Sequence, residues 1–458
     1  MAKGVIKRII LILFTCPVVL IAGVSAQELL PSLLMPGIPQ TTLFNPAYQN
    51  ESEKLIIGIP VLSGIYGSYN GNVTFNSLFS NGFDYSFQRL YNTLDKEGKL
   101  EASAGVSMFF ASLKRNNLTF SLNISERIFS EITAPRDLIK FVADGTENYY
   151  GSDDNLGSAS FDLEHFRVIA PGISKRVNEN FDIGIRVKLL FGKLHSRTSN
   201  LNITTKTDPV NGDLLLKPEG SYMIAGPFNH LVSPSSDYST FSANIFPGDY
   251  FFQFRNMGLA FDAGINYRPG ELTELSISLV DFGFIGFRHN AFLIDFSESL
   301  RYSKDFLYQS HSPTEDNYIE PREALKILAD SASYIINVNE SPERHISYLP
   351  FKINFTGKHQ FSEKIYGGIA SLLCYRKKEF SSLTSLFFHT STKNRVTLGA
   401  GLSLYNMETV MPGAGLSYTI DKYQFFFSSN NILGIIDPTG SKHINLYLGF
   451  NLLFDTKK

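Results

Sequence analysis

The 458-residue chain has only two cysteines and no tryptophan. Cys16 lies in an N-terminal apolar run that is expected to be removed, so no intramolecular disulfide can brace what remains. Cys374 then reads as an ordinary small apolar residue on a strand. Beyond residue 26 no apolar run approaches the 18 or so residues that a spanning helix requires, so a membrane location would demand a closed β-barrel. Charge of one sign is lacking too: 41 Lys+Arg stand against 43 Asp+Glu, which leaves no basic footprint for nucleic acid. The chain has no His-Glu-x-x-His, Cys-x-x-Cys, Gly-x-Ser-x-Gly or Walker loop, and its nine histidines are scattered. No catalytic residue, cofactor or metal is therefore expected.

What is present begins with a secretory pattern. Lys3, Lys7 and Arg8 precede an apolar stretch from Ile9 to Val24, and Val24-Ser25-Ala26 offers a small-residue cleavage site before Gln27. Phe14 and Thr15 ahead of Cys16 do not suit a lipoprotein signal. The expected organisation is a signal peptide over 1–26, a periplasmic or plug segment over 27–53, and a barrel over 54–458. The 39 Phe, 22 Tyr and 35 Gly suit aromatic girdles with tight turns, Tyr and Phe standing in for the missing Trp.

Two-residue alternation is the main signal, because successive side chains of a strand point to opposite faces. Ile444, Leu446, Leu448, Phe450, Leu452 and Phe454 interleave with His443, Asn445, Tyr447, Gly449 and Asn451. Val396, Leu398, Ala400, Leu402 and Leu404 alternate with Arg395, Thr397, Gly399, Gly401 and Ser403, and Met257 to Asn266 repeats the pattern. The polar faces are rich in Gly, Ser, Asn and Thr rather than the Lys and Glu of a solvated surface, as a lumen would be.

Strands are expected near 54–72, 100–113, 118–128, 158–175, 181–196, 256–268, 272–287, 348–358, 363–375, 379–390, 394–405, 409–420, 423–434 and 442–454. The fold class is an all-β transmembrane antiparallel barrel of about fourteen strands. Walking back from a periplasmic C-terminus, the short connections fall on the periplasmic side, and the long ones (73–99, 129–157, 197–255 and 288–347) on the outer side. Short helices are expected within the outer loops, over Ala134 to Val142 and over Pro321 to Ile335, where Ala324, Leu325, Leu328, Ala332 and Ile335 have helical spacing.

Several segments resemble known barrels. Thr42-Leu43-Phe44-Asn45-Pro46-Ala47-Tyr48 resembles the Asn-Pro-Ala element of FadL-type long-chain fatty acid transporters and of the PorP/SprF family of type IX secretion membrane proteins. Leu279 to Ile285 resembles the Asp-aliphatic-Gly strand end of Bacteroidota barrels, and Ile183 to Gly192 is similar to another strand of that group. With Asn430-Asn431 and Leu446 to Phe454, the chain looks most like a family of Bacteroidota outer-membrane barrels of unknown function. The resemblance implies an N-terminal segment tucked into the lumen as a plug, with Asn45, Pro46 and Ala47 as a rigid turn that seats it.

Arg186, Lys188, Asp262, Asn266 and Arg395 are the expected lumen-facing candidates, because Arg or Lys facing lipid at mid-depth would cost roughly 2 to 4 kcal/mol. An interior ion-pair network and a substrate-selective lining both account for them. His165 with Ser158 or Ser160, and His389 with nearby serines, are the residues a lipid hydrolase would use; hydrated or rim histidines on strands are the plainer reading.

Three functions follow. One is an outer-membrane transporter or channel, porin-like, for a small hydrophobic solute. Another is a non-catalytic anchor or scaffold for a type IX secretion-like or surface assembly. The third is a lipid-modifying enzyme. The partners these imply are outer-membrane lipids, a hydrophobic solute, and secretion-system or surface proteins.

Overall fold

The protein is described here from a computed structural model, which covers residues 35, 37–49, 54–80, 84–85, 87–144, 149, 151–210, 213–226, 229–232, 239–242, 247–296, 299–302, 341–392 and 395–455. The expected signal peptide and the 321–335 helix lie outside the described residues.

The strands of the wall are β1 (Lys54–Gly58), β2 (Ile65–Gly71), β3 (Glu97–Arg115), β4 (Leu118–Pro135), β5 (Asp153–Arg176), β6 (Phe181–Thr207), β7 (Leu214–Ala225), β8 (Asn256–Tyr267) and β9 (Thr273–Phe287). They continue as β10 (Ala291–Phe296), β11 (His345–Tyr348), β12 (Phe351–Gln360), β13 (Ile365–Arg376), β14 (Glu379–Thr392), β15 (Val396–Tyr405), β16 (Thr409–Ile420), β17 (Tyr423–Ser429) and β18 (His443–Asp455).

Antiparallel pairing runs β3–β4–β5–β6–β8–β9–β12 and then in sequence through β18. β1 and β2 share one position between β18 and β3 and close the ring. Among the described residues the wall therefore has fourteen strand positions and no free edge.

Alternation works as expected, with the apolar face outward. On β6, Ile183, Ile185, Val187 and Leu189 are exposed while Asp182, Arg186 and Lys188 between them are buried. Leu398 and Leu402 on β15 are exposed while Thr397 and Ser403 are buried. Such an inverted surface needs an apolar surrounding, since each exposed Å² of hydrocarbon costs roughly 25 cal/mol in water. This is the surface of a transmembrane barrel.

Several expectations about the wall need correction. The first strand is not continuous over 54–72: β1 and β2 are separated by a six-residue loop containing Pro60, which cannot donate to a ladder. Within it Val61 takes φ 68° and is exposed, with Leu62, on the outer side. Nor is 197–255 wholly a loop. β6 runs 27 residues, and its outer end pairs with β7, which pairs in turn with β10, so the wall rises past the apolar belt. The chain there faces water on its outer side, so no apolar face marked it in the sequence. Parts of 129–157 and of 288–347 are likewise wall, in β4 and β5 and in β10 and β11, and the strand expected over 423–434 stops at Ser429, before a short helix at Ile432–Ile436.

The helix expected near 134–142 is found at Arg136–Asp144. Its Ile139 packs with Val73, Leu90 and Leu94 near the long-loop end.

The inside of the barrel is filled unequally. Across β13–β18, inward-facing Ala370, Leu372, Cys374, Leu383, Phe387, Met411, Phe426 and Tyr447 form one apolar cluster with Met35, Ile38 and Phe44. The Cys374 thiol is buried in that cluster and takes no part in a disulfide. The lumen is thus less polar there than the Gly, Ser and Asn of the strand pattern implied.

Candidate functional site: the occluded lumen

Residues 37–49 lie across the lumen and touch most of the ring. A 3-10 helix, Pro39–Leu43, starts the path, with proline at its first position, where no amide N–H is needed. Gln40 Nε2 donates to Asn451 Oδ1 (2.6 Å) and to the Ser63 carbonyl (2.7 Å), while Asn451 Nδ2 donates to Gln40 Oε1 (3.1 Å). Gln424 Nε2 donates to the Gly37 carbonyl at 2.8 Å. On the opposite wall, the Phe44 carbonyl accepts from Ser278 Oγ (2.7 Å) and Asn354 Nδ2 (3.1 Å). These bonds satisfy backbone groups that would otherwise be buried unpaired.

The Asn45-Pro46-Ala47 turn closes on itself, Ala47 N donating to Asn45 Oδ1 at 2.9 Å. It rests on two glycines of the wall. A Cβ at Gly184 would stand 2.2 Å from the Pro46 carbonyl carbon, and one at Gly264 would stand 2.0 Å from Asn45 Oδ1. Glycine at those two inward positions is what lets the turn approach the strands.

Above the turn lies an ion-pair network. Lys188 Nζ is 2.7 Å from Asp262 and 2.5 Å from Asp281; Arg186 is 3.3 Å from Asp262; Arg127 and Lys352 reach Asp281 at 3.1 and 3.2 Å. Four cations thus surround two carboxylates.

Of the residues expected to face the lumen, Arg186, Lys188 and Asp262 are buried within this network. Asn266 is also buried, but nearer the short-turn end, where its amide bridges the Leu275 carbonyl and the Arg268 guanidinium. Arg395 is not on the wall: it lies in the turn one residue before the strand that begins at Val396, and it is exposed.

Asp281, the centre of the network, was not among the expected site residues. β9 bulges there: Phe261 pairs with Phe282 but Ala263 pairs with Leu279, so Val280 and Asp281 both turn inward. Asp281 takes φ 62°, and its N–H donates to Asp262 Oδ1 at 2.9 Å. The sequence did carry a sign of this. The outward apolar residues sit at odd positions through Leu275, Ile277 and Leu279 and at even ones from Phe282 and Phe284.

At the outer mouth, ion pairs reach across the lumen. Arg376 of β13 meets Glu131 of β4 (3.6 Å) and Asp162 of β5 (3.4 Å), and Lys377 meets the same two carboxylates at 3.2 and 2.8 Å. Lys99 of β3 and Glu379 of β14 pair at 3.1 Å. Asp162 also holds His195 (3.2 Å), which is 2.7 Å from His345.

Between the mouth and the inner segment lies a cavity of about 100 Å³. Leu43, Phe44, Phe129, Phe166, Leu349 and Tyr447 give it apolar sides, and Arg127, Asp281, Lys352 and Arg376 a charged side.

The histidines weighed for hydrolysis lie elsewhere. His165 is on the outer face of β5, bonded to Tyr250 Oη (2.6 Å) and 3.3 Å from Glu126 rather than to Ser158 or Ser160. His389 is buried, and among the described residues neither ring nitrogen has a hydrogen-bond partner. Among the described residues no group of three or more His, Cys, Asp or Glu side chains could hold a metal ion.

A closed antiparallel ring with an exposed apolar belt defines a multi-pass β-barrel of the outer-membrane class. The chain belongs to DUF5723, a family of unknown function whose model matches residues 46–430. No curated protein matches it.

Solved barrels resemble it at low identity. A deletion mutant of the monoaromatic hydrocarbon channel TodX is 10% identical with a TM-score of 0.45, covering 90% of this chain and 94% of that one. A Pseudomonas aeruginosa FadL homologue is 11% identical (TM-score 0.43; 93% and 95% covered), and the Ralstonia pickettii toluene transporter TbuX 10% identical (TM-score 0.42; 91% and 94%).

Proposed function

We propose that the protein is an outer-membrane channel for a small solute with an apolar body and one polar end, held closed by residues 27–53 acting as a plug. The observation that carries this reading is the cavity itself, enclosed between the 37–49 segment and the ion pairs of the mouth. Its volume is of the order of the ~150 Å³ apolar cavity that accepts benzene. The mixed lining would bury hydrocarbon against Phe44, Phe129 and Phe166 and leave a polar end beside Arg127 and Lys352. Passage through such a chamber requires that neither closure be permanent; the mouth is closed by polar contacts that water can replace, and the inner segment is held by hydrogen bonds of the same kind on one side and by the apolar cluster on the other. Relation to the FadL-type barrels, suggested by the Asn45-Pro46-Ala47 element, agrees with this reading.

Single-channel recording of the refolded protein in planar bilayers tests it. The intact chain is expected to be closed, and a variant lacking residues 27–50 to show steady conductance steps. Silence from both, with membrane insertion demonstrated in parallel, would overturn the plugged channel and leave the anchor or scaffold reading.

A further inference from the structure

Outside the barrel, cations gather along one arc of the belt's outer edge. Arg167 on β5 pairs in register with Glu126 on β4 and with Phe191 on β6, and Phe191 pairs with Met257 on β8. Lys193 stands two residues past Phe191, Arg255 two residues before Met257, and Arg288 follows the end of β9. Among the described side chains, five adjacent strand positions thus carry Arg167, Lys193, Arg255 and Arg288 against one carboxylate, Glu126. That carboxylate is already engaged by Arg167 at 2.5 Å and by His165 at 3.3 Å.

A short strap, residues 247–255, is fastened over this arc. Lys193 Nζ donates to the carbonyls of Phe251 and Gln253 (2.5 and 2.8 Å), and Gln253 Nε2 to that of Gly192 (3.1 Å). Phe254 packs edge-on against Phe191 at 5.0 Å. The fastening leaves Phe251, Phe252 and Phe254 exposed at 46, 71 and 43%.

Beside them Arg255 has His289 as its neighbour at 2.7 Å, a bond in which the imidazole is the neutral acceptor. The turn carrying Arg288 is held by Asn256, whose Oδ1 accepts from the Arg288 and His289 amides. The Arg288 Nε lies 3.5 Å from the place a Gly286 Cβ would occupy, so the guanidinium lies back along the wall toward the belt.

Exposed aromatic rings beside guanidinium groups, at the level where an apolar belt ends, fit the boundary between acyl chains and headgroups. Arginine matches phosphate with paired N–H donors. We infer that this arc is a binding site for the phosphate groups of an outer-leaflet lipid, with Arg255 and Arg288 as the phosphate ligands and Phe251, Phe252 and Phe254 against its acyl chains. A lipid occupant is favoured over a soluble one because the three rings face the bilayer side. The inference stands apart from the channel reading, since none of these residues lines the lumen cavity.

The test uses the full mature chain refolded in neutral detergent, with bis-phosphorylated lipid A as the probe and retained lipid counted by native mass spectrometry. Wild type is expected to bind it. The Arg255→Glu/Arg288→Glu double variant is expected to bind at least ten-fold more weakly, while Lys422→Glu, at the short-turn end, binds as wild type does. Dephosphorylated lipid A is expected to bind wild type and double variant alike. Heat-modifiable gel migration establishes that the variants are folded; should charge reversal prevent folding, Arg255→Gln/Arg288→Gln carries the same expectation. Equal lipid A binding by a folded double variant and wild type would overturn the inference. So would full displacement of the lipid by an equal concentration of inorganic phosphate, which would mark a plain anion site.

Discussion

Between β4 and β9 the wall turns Arg127, Arg186, Lys188, Asp262 and Asp281 inward, paired among themselves, whereas between β13 and β18 it turns inward Leu372, Phe387, Met411, Phe426 and Tyr447, packed on Met35, Ile38 and Phe44. Both arrangements fill a barrel too wide for a simple wall, but they fail differently. An apolar contact weakens in proportion to the volume removed. A buried charge pair loses far more when one partner goes, because the survivor is left without compensation. The inner segment leans on both halves: its apolar side chains are clasped by β13–β18, while on the other side it rests on Gly184 and Gly264 and is held by Ser278 and Asn354. The glycine side is the side from which it should lift first.

Four substitutions would break or sharpen this contrast. Asp281→Asn keeps the side chain's shape but leaves Arg127, Lys188, Arg186 and Lys352 facing one carboxylate; a loss of about 3 to 5 kcal/mol is expected in urea unfolding from lipid vesicles. Leu372→Ala, measured the same way, is expected to cost about 2 to 5 kcal/mol, less than Asp281→Asn where the neighbouring side chains close over the space. A larger loss from Leu372→Ala than from Asp281→Asn would reverse the ranking of the two halves.

Gly264→Val places a side chain where Asn45 Oδ1 now lies, and overpacking of this kind costs about 1 to 3 kcal/mol. Its telling effect should be electrical: conductance steps like those of the plug deletion, which an unmoved plug would not give. The smallest effect belongs to Lys99→Ala at the mouth. Its partner Glu379 is 75% exposed, so less than about 1 kcal/mol is expected, with no resolvable change in unfolding midpoint.

How much of this was legible depended on where lipid touches the chain. Within the belt one face of every strand must be apolar, so alternation disclosed the strands, their number and the inward placement of Arg186, Lys188 and Asp262. Above the belt that constraint disappears. The outer end of β6 and all of β7, with polar residues such as Ser196, Thr204 and Lys217 mixed along them, therefore read as loop. The break after Gly58 was missed although Pro60 stood in the run. Asp281 lies in the strand end Leu279 to Ile285, but its inward turn escapes the two-residue rule, because a bulge reverses parity there and the rule assumes that none does. Arg395 shows the opposite error, periodicity carried past the end of a strand. The partners of residues 37–49 could not be read at all, because they lie on strands up to 411 positions away in sequence.

Those distances bear on the order of assembly. Gln40 is bonded to Asn451 and Gly37 to Gln424, both on the last strands to be made, while β18 must also meet β1 and β2 before the ring exists. The inner segment therefore has no complete seat until the C-terminal strand has arrived. Its full set of contacts exists only in the closed ring, so its docking is coupled to closure of the barrel.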